Sequence, residues 1–114
     1  MPNVPPPPAS PQLVSAAVDW DAFVVTLVFD RAIDLSGCVT NTISVRDGET
    51  IHGVYRGVGT ATPIGDDGVS IALEPWLPYE GSGTFLTAQT DTGIVASDGG
   101  AEWEGEGLLP LPFP

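Results

Sequence analysis

The sequence predicts a single all-β domain, a two-layer sandwich of about seven strands, and three observations carry that prediction. From Leu13 onward, short apolar or alternating runs are broken by Gly, Asp and Pro clusters at the spacing of about ten residues typical of such sandwiches. No window sustains a helical period, and the scattered glycines oppose helices. The chain has 114 residues, and six of its twelve prolines fall in the first eleven. Roughly a hundred residues remain for the folding unit, the usual size of a sandwich of this kind.

Taken in order, residues 1–11 read as an extended proline-rich arm. Pro5, Pro6, Pro7 and Pro8 fix φ, offer no donors and cannot enter a helix or a central strand. The sandwich is expected over residues 12–109, with strands at Leu13–Val18, Phe23–Phe29, Ile43–Asp47, Ile51–Val58, Val69–Leu73, Thr84–Gln89 and Trp103–Leu109. In the second of these, Phe23, Val25, Leu27 and Phe29 alternate with Val24, Thr26 and Val28, which puts the first set on the core face. Asp47-Gly48, Asp67-Gly68 and Asp98-Gly99 supply the positive φ of tight turns. Pro75 and Pro78 are expected to bracket a rigid corner around Trp76. Residues 110–114 form a second proline-punctuated tail, unable to continue a central strand and too apolar to float in water, so it is expected to pack either on this domain or on a neighbour.

Fifteen acidic residues face three arginines and no lysine, a formal charge of −12. Such a surface repels phosphate, so nucleic acid and anionic membranes are not expected as partners. Cys38 is the only cysteine, so no intrachain disulfide can form. The N-terminus has neither the basic start nor the apolar run of an export signal, and no stretch approaches the ~20 apolar residues of a membrane helix. A protein that is neither exported by the usual route nor anchored in a bilayer is the expectation.

The order of the pieces resembles a known family. Val14-Ser-Ala-Ala-Val-Asp followed by Phe23-Val-Val-Thr-Leu-Val-Phe-Asp-Arg-Ala-Ile-Asp resembles the opening strands of bacterial Ig-like repeats of the swarming-motility surface-protein type. Ile43-Ser-Val-Arg-Asp-Gly, Gly68-Val-Ser-Ile-Ala-Leu, Tyr79-Glu-Gly-Ser-Gly-Thr-Phe-Leu-Thr-Ala and Ile94-Val-Ala-Ser-Asp-Gly-Gly keep the same order over residues 12–109. Two departures are visible: Ala88 or Gln89 stands where the sixth strand carries an aromatic, and the segment 57–67 is long and rich in Gly and Thr. The resemblance implies an immunoglobulin-like sandwich used as a structural or adhesive module without enzymatic activity, and it brings no catalytic residues with it.

The residues themselves agree on chemistry. His52 is the only histidine, so any Ser-His-Asp or Cys-His relay would have to pass through it, and a strand histidine is the simpler reading. One cysteine and one histidine cannot build a standard structural zinc site. Calcium is the one metal with candidate ligands: Asp19, Asp21 and Asp98, together with Asp30 and Asp34 and the pair Asp66-Asp67. Asp-rich turns are normal in β proteins because Asp bonds its own turn backbone, so turn formation is the expected role of these aspartates and calcium the lesser one. Trp20, Trp76 and Trp103, with Tyr55 and Tyr79, either line a sugar-binding face or plug the core.

The function expected is that of a non-enzymatic structural or binding module without a cofactor. We expect an accessory, decoration-type or cement-like protein of a bacteriophage virion that meets a capsid or tail protein through its arms, with homo-oligomerisation open. Val4, Pro5, Pro6, Pro7 and Pro8 at one end, and Leu109, Leu111 and Phe113 at the other, are the expected contact residues. The alternative is an extracellular, cell-surface adhesive or carbohydrate-binding module.

Overall fold

The structure is a computed structural model that describes residues 9–48, 53–79 and 81–114. It is all-β. The strands are β1 (Leu13–Asp19), β2 (Val24–Phe29), β3 (Ile33–Asp34), β4 (Ile43–Asp47), β5 (Gly53–Ile64), β6 (Gly68–Leu77), β7 (Thr84–Ala88), β8 (Val95–Ala96) and β9 (Glu106–Pro110), with one 3-10 turn at Thr40–Thr42 before β4. No helix among the described residues is long and apolar enough to cross a membrane.

Seven strands form one antiparallel sheet in the order β1-β2-β6-β5-β4-β7-β9, and β3 and β8 make a separate two-stranded ribbon. Val25, Leu27 and Phe29 of β2 and Val69 and Ile71 of β6 share a single buried cluster with Ile43 and Val45 of β4 and Leu86 of β7. The sheet therefore curls until its two halves enclose one core. Alternation explains which residues enter it: β2 is buried at every second position, β4 likewise, and the intervening side chains are half-exposed, as period-2 geometry demands. Trp103 closes the cluster from the loop before β9, 2 % exposed and edge-on to Phe29 at 5.1 Å between ring centroids.

The C-terminal residues close the curl. β9 pairs with β7, the Leu111 amide donates to the Thr84 carbonyl, and Phe113 then bridges Ala16 of β1 with hydrogen bonds of 2.7 and 2.8 Å. Leu109, Leu111 and Phe113 pack half-buried against the core while Leu108, Pro110, Pro112 and Pro114 are exposed. Of the two places open to it, the tail takes its own domain, lying across the seam between β1 and β7. The reason is local: its apolar side chains recur at every second position, so an extended chain turns all of them to one face, and the prolines fall on the other.

Three further differences from the sequence reading have physical causes. Phe23 does not begin the second strand; it sits in the turn before it, at a φ of 55°. The fifth strand runs on to Ile64, because a register shift between Val58 and Thr62 absorbs extra residues and lets pairing with β6 resume. Pro75 does not turn a corner but lies within β6, paired with Tyr55, and Trp76 is the extra residue of a bulge, since Val54 pairs with Leu77. Pairing with β2 stops at Ala72, so beyond it β6 has an open side, where a missing proline donor is tolerated.

Candidate functional site

The most distinctive surface lies where β6 outruns β2. The β1–β2 turn is built by Asp19, whose Oδ1 accepts the amides of Asp21 at 2.9 Å and Ala22 at 3.2 Å. That turn delivers Trp20 and Phe23 onto β5. The Phe23 and Tyr55 rings are nearly parallel, at 8° and 5.8 Å, and Trp20 meets both edge-on, at 5.2 Å from Tyr55 and 6.3 Å from Phe23. These are the offset and T-shaped arrangements that the aromatic quadrupole favours. The positive φ of Phe23 is disfavoured by about 1–2 kcal/mol for a residue with a Cβ. The Asp19 turn, the Leu73 amide donating to the Phe23 carbonyl at 2.8 Å, and the stack on Tyr55 hold it there.

Phe23, Tyr55, Leu73 and Pro75 line a groove of ≈ 250 Å³. Phe23 is 39 % exposed; Trp76 and Leu77, which continue β6 beyond Pro75, are each 50 % exposed, and Trp76 turns to the Arg56 side of the sheet.

Beside the bulge, Arg56 links this corner to a second depression. Its guanidinium lies 5.4 Å from the centre of the Trp76 ring, within cation–π reach, and its Nε donates to Glu74 at 2.9 Å. Arg56 and Glu74 then form one wall of a cleft of ≈ 360 Å³, whose other walls are Cys38–Asn41 and Gly57–Gly59. The floor depends on Gly57: a Cβ there would collide with the Thr40 carbonyl and the Ile71 side chain. Thr40 also donates its hydroxyl to the Gly59 carbonyl at 2.8 Å. Burial pushes the Cys38 thiol up from its ordinary pKa, which makes it a poor nucleophile at neutral pH.

The aspartates expected to gather around calcium lie apart. Asp19 and Asp21 belong to the β1–β2 turn. Asp98 lies in the turn after β8, near Arg31 and so at the far end of β2. Asp30 is bound by the Arg31 guanidinium at 2.9 Å and by the Gln12 amide at 3.0 Å, which together hold its carboxyl well below the usual carboxylate range. Asp34 accepts the Ser36 amide at 2.8 Å and is lowered for that reason. Among the described residues no three His, Cys, Asp or Glu side chains converge on a point where a metal ion could sit.

The three tryptophans have three fates: Trp103 in the core, Trp20 half-buried in the aromatic cluster, and Trp76 in the open. Tyr79 is half-exposed, with Arg46 at 6.0 Å from its ring centre. His52 and the arm residues Val4, Pro5, Pro6, Pro7 and Pro8 lie outside the described residues. Sequence reasoning missed the groove because it assigned Phe23 to the core face of a strand. The signal available was the Asp19-Trp-Asp-Ala stretch before it, in which Asp19 could cap a turn reaching as far as residue 23. No family model, curated protein or solved structure matches this chain.

Proposed function

We propose that the chain is a non-catalytic docking module and, within that class, an accessory structural protein of a bacteriophage virion that binds a capsid or tail protein. One observation carries the docking reading: the consecutive apolar residues Pro75, Trp76 and Leu77 stand exposed at the end of β6 on a domain of formal charge −12. Acidic repulsion keeps such a domain soluble and selects against casual partners, whereas the corner supplies the aromatic anchors that dominate most interfaces. The virion reading rests on organisation: a proline-rich arm beside a small closed domain suits attachment to a repeating lattice. We read the curled sheet as a variant of the immunoglobulin-like sandwich, in keeping with the sequence resemblance and with the two halves packing face to face.

The test is to express the protein during infection and band the virions by density. We expect the chain to band with the particles, and we expect Trp76→Ala with Leu77→Ala to release it while its melting midpoint holds. Abundant protein in the lysate with none on the particles overturns the virion reading.

A second reading, a carbohydrate-binding adhesive module, is favoured by the exposed Trp76 next to the Arg56–Glu74 pair and the polar cleft. A sugar stacks on an exposed indole and bonds flanking charged groups. Glycan binding lost in Trp76→Ala would move the conclusion to this reading.

A further inference from the structure

We propose that the groove formed by Phe23, Tyr55, Leu73 and Pro75 holds the Pro5–Pro8 segment of a second copy of this chain, so that copies join head to tail. This rests on the reading of residues 1–11 as a docking arm and names where the arm docks.

Chemistry matches the two parts. A run of prolines is preset to a polyproline II helix, loses little entropy on docking, and is held elsewhere by grooves lined with aromatic rings. This groove offers a Phe23–Tyr55 stack and a proline ring in its wall, with Trp20 packed edge-on behind the stack. Residues 1–11 carry no charged side chain. They are therefore a part of this acidic chain that can approach another copy without like-charge repulsion.

Reach selects the copy. The described chain starts at Ala9, whose carbonyl accepts from Arg31 at 3.4 Å, and Gln12 and Asp30 are joined at 2.9 and 3.0 Å. The arm thus leaves at the Phe29 end of β2, and the groove lies at the Val24 end, a strand length of about 20 Å away. Pro5 can lie no more than about 14 Å from Ala9 even when the chain is fully extended. The proline run falls short of the groove on its own chain. A neighbour stacked end to end presents its groove where the arm emerges, and a contact between two different surfaces of this kind propagates as a row or closes as a ring.

Sedimentation equilibrium of the full chain, from micromolar to millimolar, tests this against two variants. One is Phe23→Asn, which removes the ring and places at the positive φ a residue that tolerates it, so folding is preserved. The other replaces Pro5, Pro6, Pro7 and Pro8 with serine. We expect the parent's average mass to rise with concentration, each variant to weaken association about tenfold or more, and a synthetic peptide of residues 1–11 to dissociate the parent. Unchanged melting midpoints in both variants keep the comparison clean. A parent that is monomeric throughout, or either variant associating as tightly as the parent, overturns the proposal. If the serine variant leaves virions yet still self-associates, the arm docks somewhere other than this groove, and the broader docking reading survives.

Discussion

The seam and the aromatic corner are made of the same residue types and put them to opposite uses. At the seam, Leu109, Leu111 and Phe113 turn inward, and the prolines between them face solvent. At the end of β6, Pro75, Trp76 and Leu77 are left facing water, and Phe23 keeps 39 % of its surface exposed. The difference lies in what stands next to each segment. The tail lies between β7 and β1 and hydrogen-bonds to both, so its apolar face has a core to cover. The end of β6 has outrun β2, and Trp76 falls on the outward beat of the strand with Ala72 and Glu74, against Arg56. Hydrophobicity decides that a residue seeks burial; the neighbouring strand decides whether burial is on offer.

The sharpest way to break this contrast is to make one substitution in both settings. Trp103→Ala should lower stability to urea by about 3–5 kcal/mol, whereas Trp76→Ala should stay within about 0.5 kcal/mol of the parent. Equal effects would mean that one of the two indoles is misplaced. Next in size, Phe113→Ala should cost about 2 kcal/mol, less than a fully buried Phe because the ring is only half covered. It should also speed amide exchange at Ala16, and exchange left unaltered would show that the tail does not close the seam.

At the corner, Phe23→Gly exchanges ring contacts for relief of a left-handed backbone, two effects of about 1 kcal/mol each and opposite sign. A net change within about 1 kcal/mol is expected by urea titration, and a loss as large as that of Trp103→Ala would place Phe23 in the core after all.

The smallest expected effect is electrostatic. Asp30 is held below its unfolded value of 3.8, first by the Arg31 hydrogen bond and then by the Gln12 amide. A depressed carboxyl contributes stability that is present above the unfolded pKa and fades as the pH falls below it. Asp30→Asn should therefore melt slightly below the parent at neutral pH and level with it under strongly acidic conditions. A gap that persists in acid would deny the pairing.

Much of this architecture was legible in the residues. The bounds of the fourth strand follow from Ile43, Val45 and Asp47, and the inward set Val25, Leu27 and Phe29 follows from alternation alone, because local period is written locally. Strand order was not legible. Nothing near Ala16 announces that Phe113 will bridge it, and the continuation of the fifth strand past Gly59 depends on a shift in register with its partner. The candidate site was half legible for the same reason. Trp76 stood out as an aromatic between prolines, but Phe23 reads as the first beat of an alternating run. Only the Asp19 turn and the contact with Leu73 take it out of that rhythm.

The closing bridge between Ala16 and Phe113 joins residues from nearly opposite ends of the described chain. During synthesis β1 leaves the ribosome early, and its closing partner follows only after every other strand has emerged. Pairings this distant in sequence form slowly, so the nascent protein passes through a stage in which β1 is an unprotected edge, open to mispairing with other chains. The acidic surplus then has work to do before folding is finished, holding incomplete copies apart until Phe113 arrives.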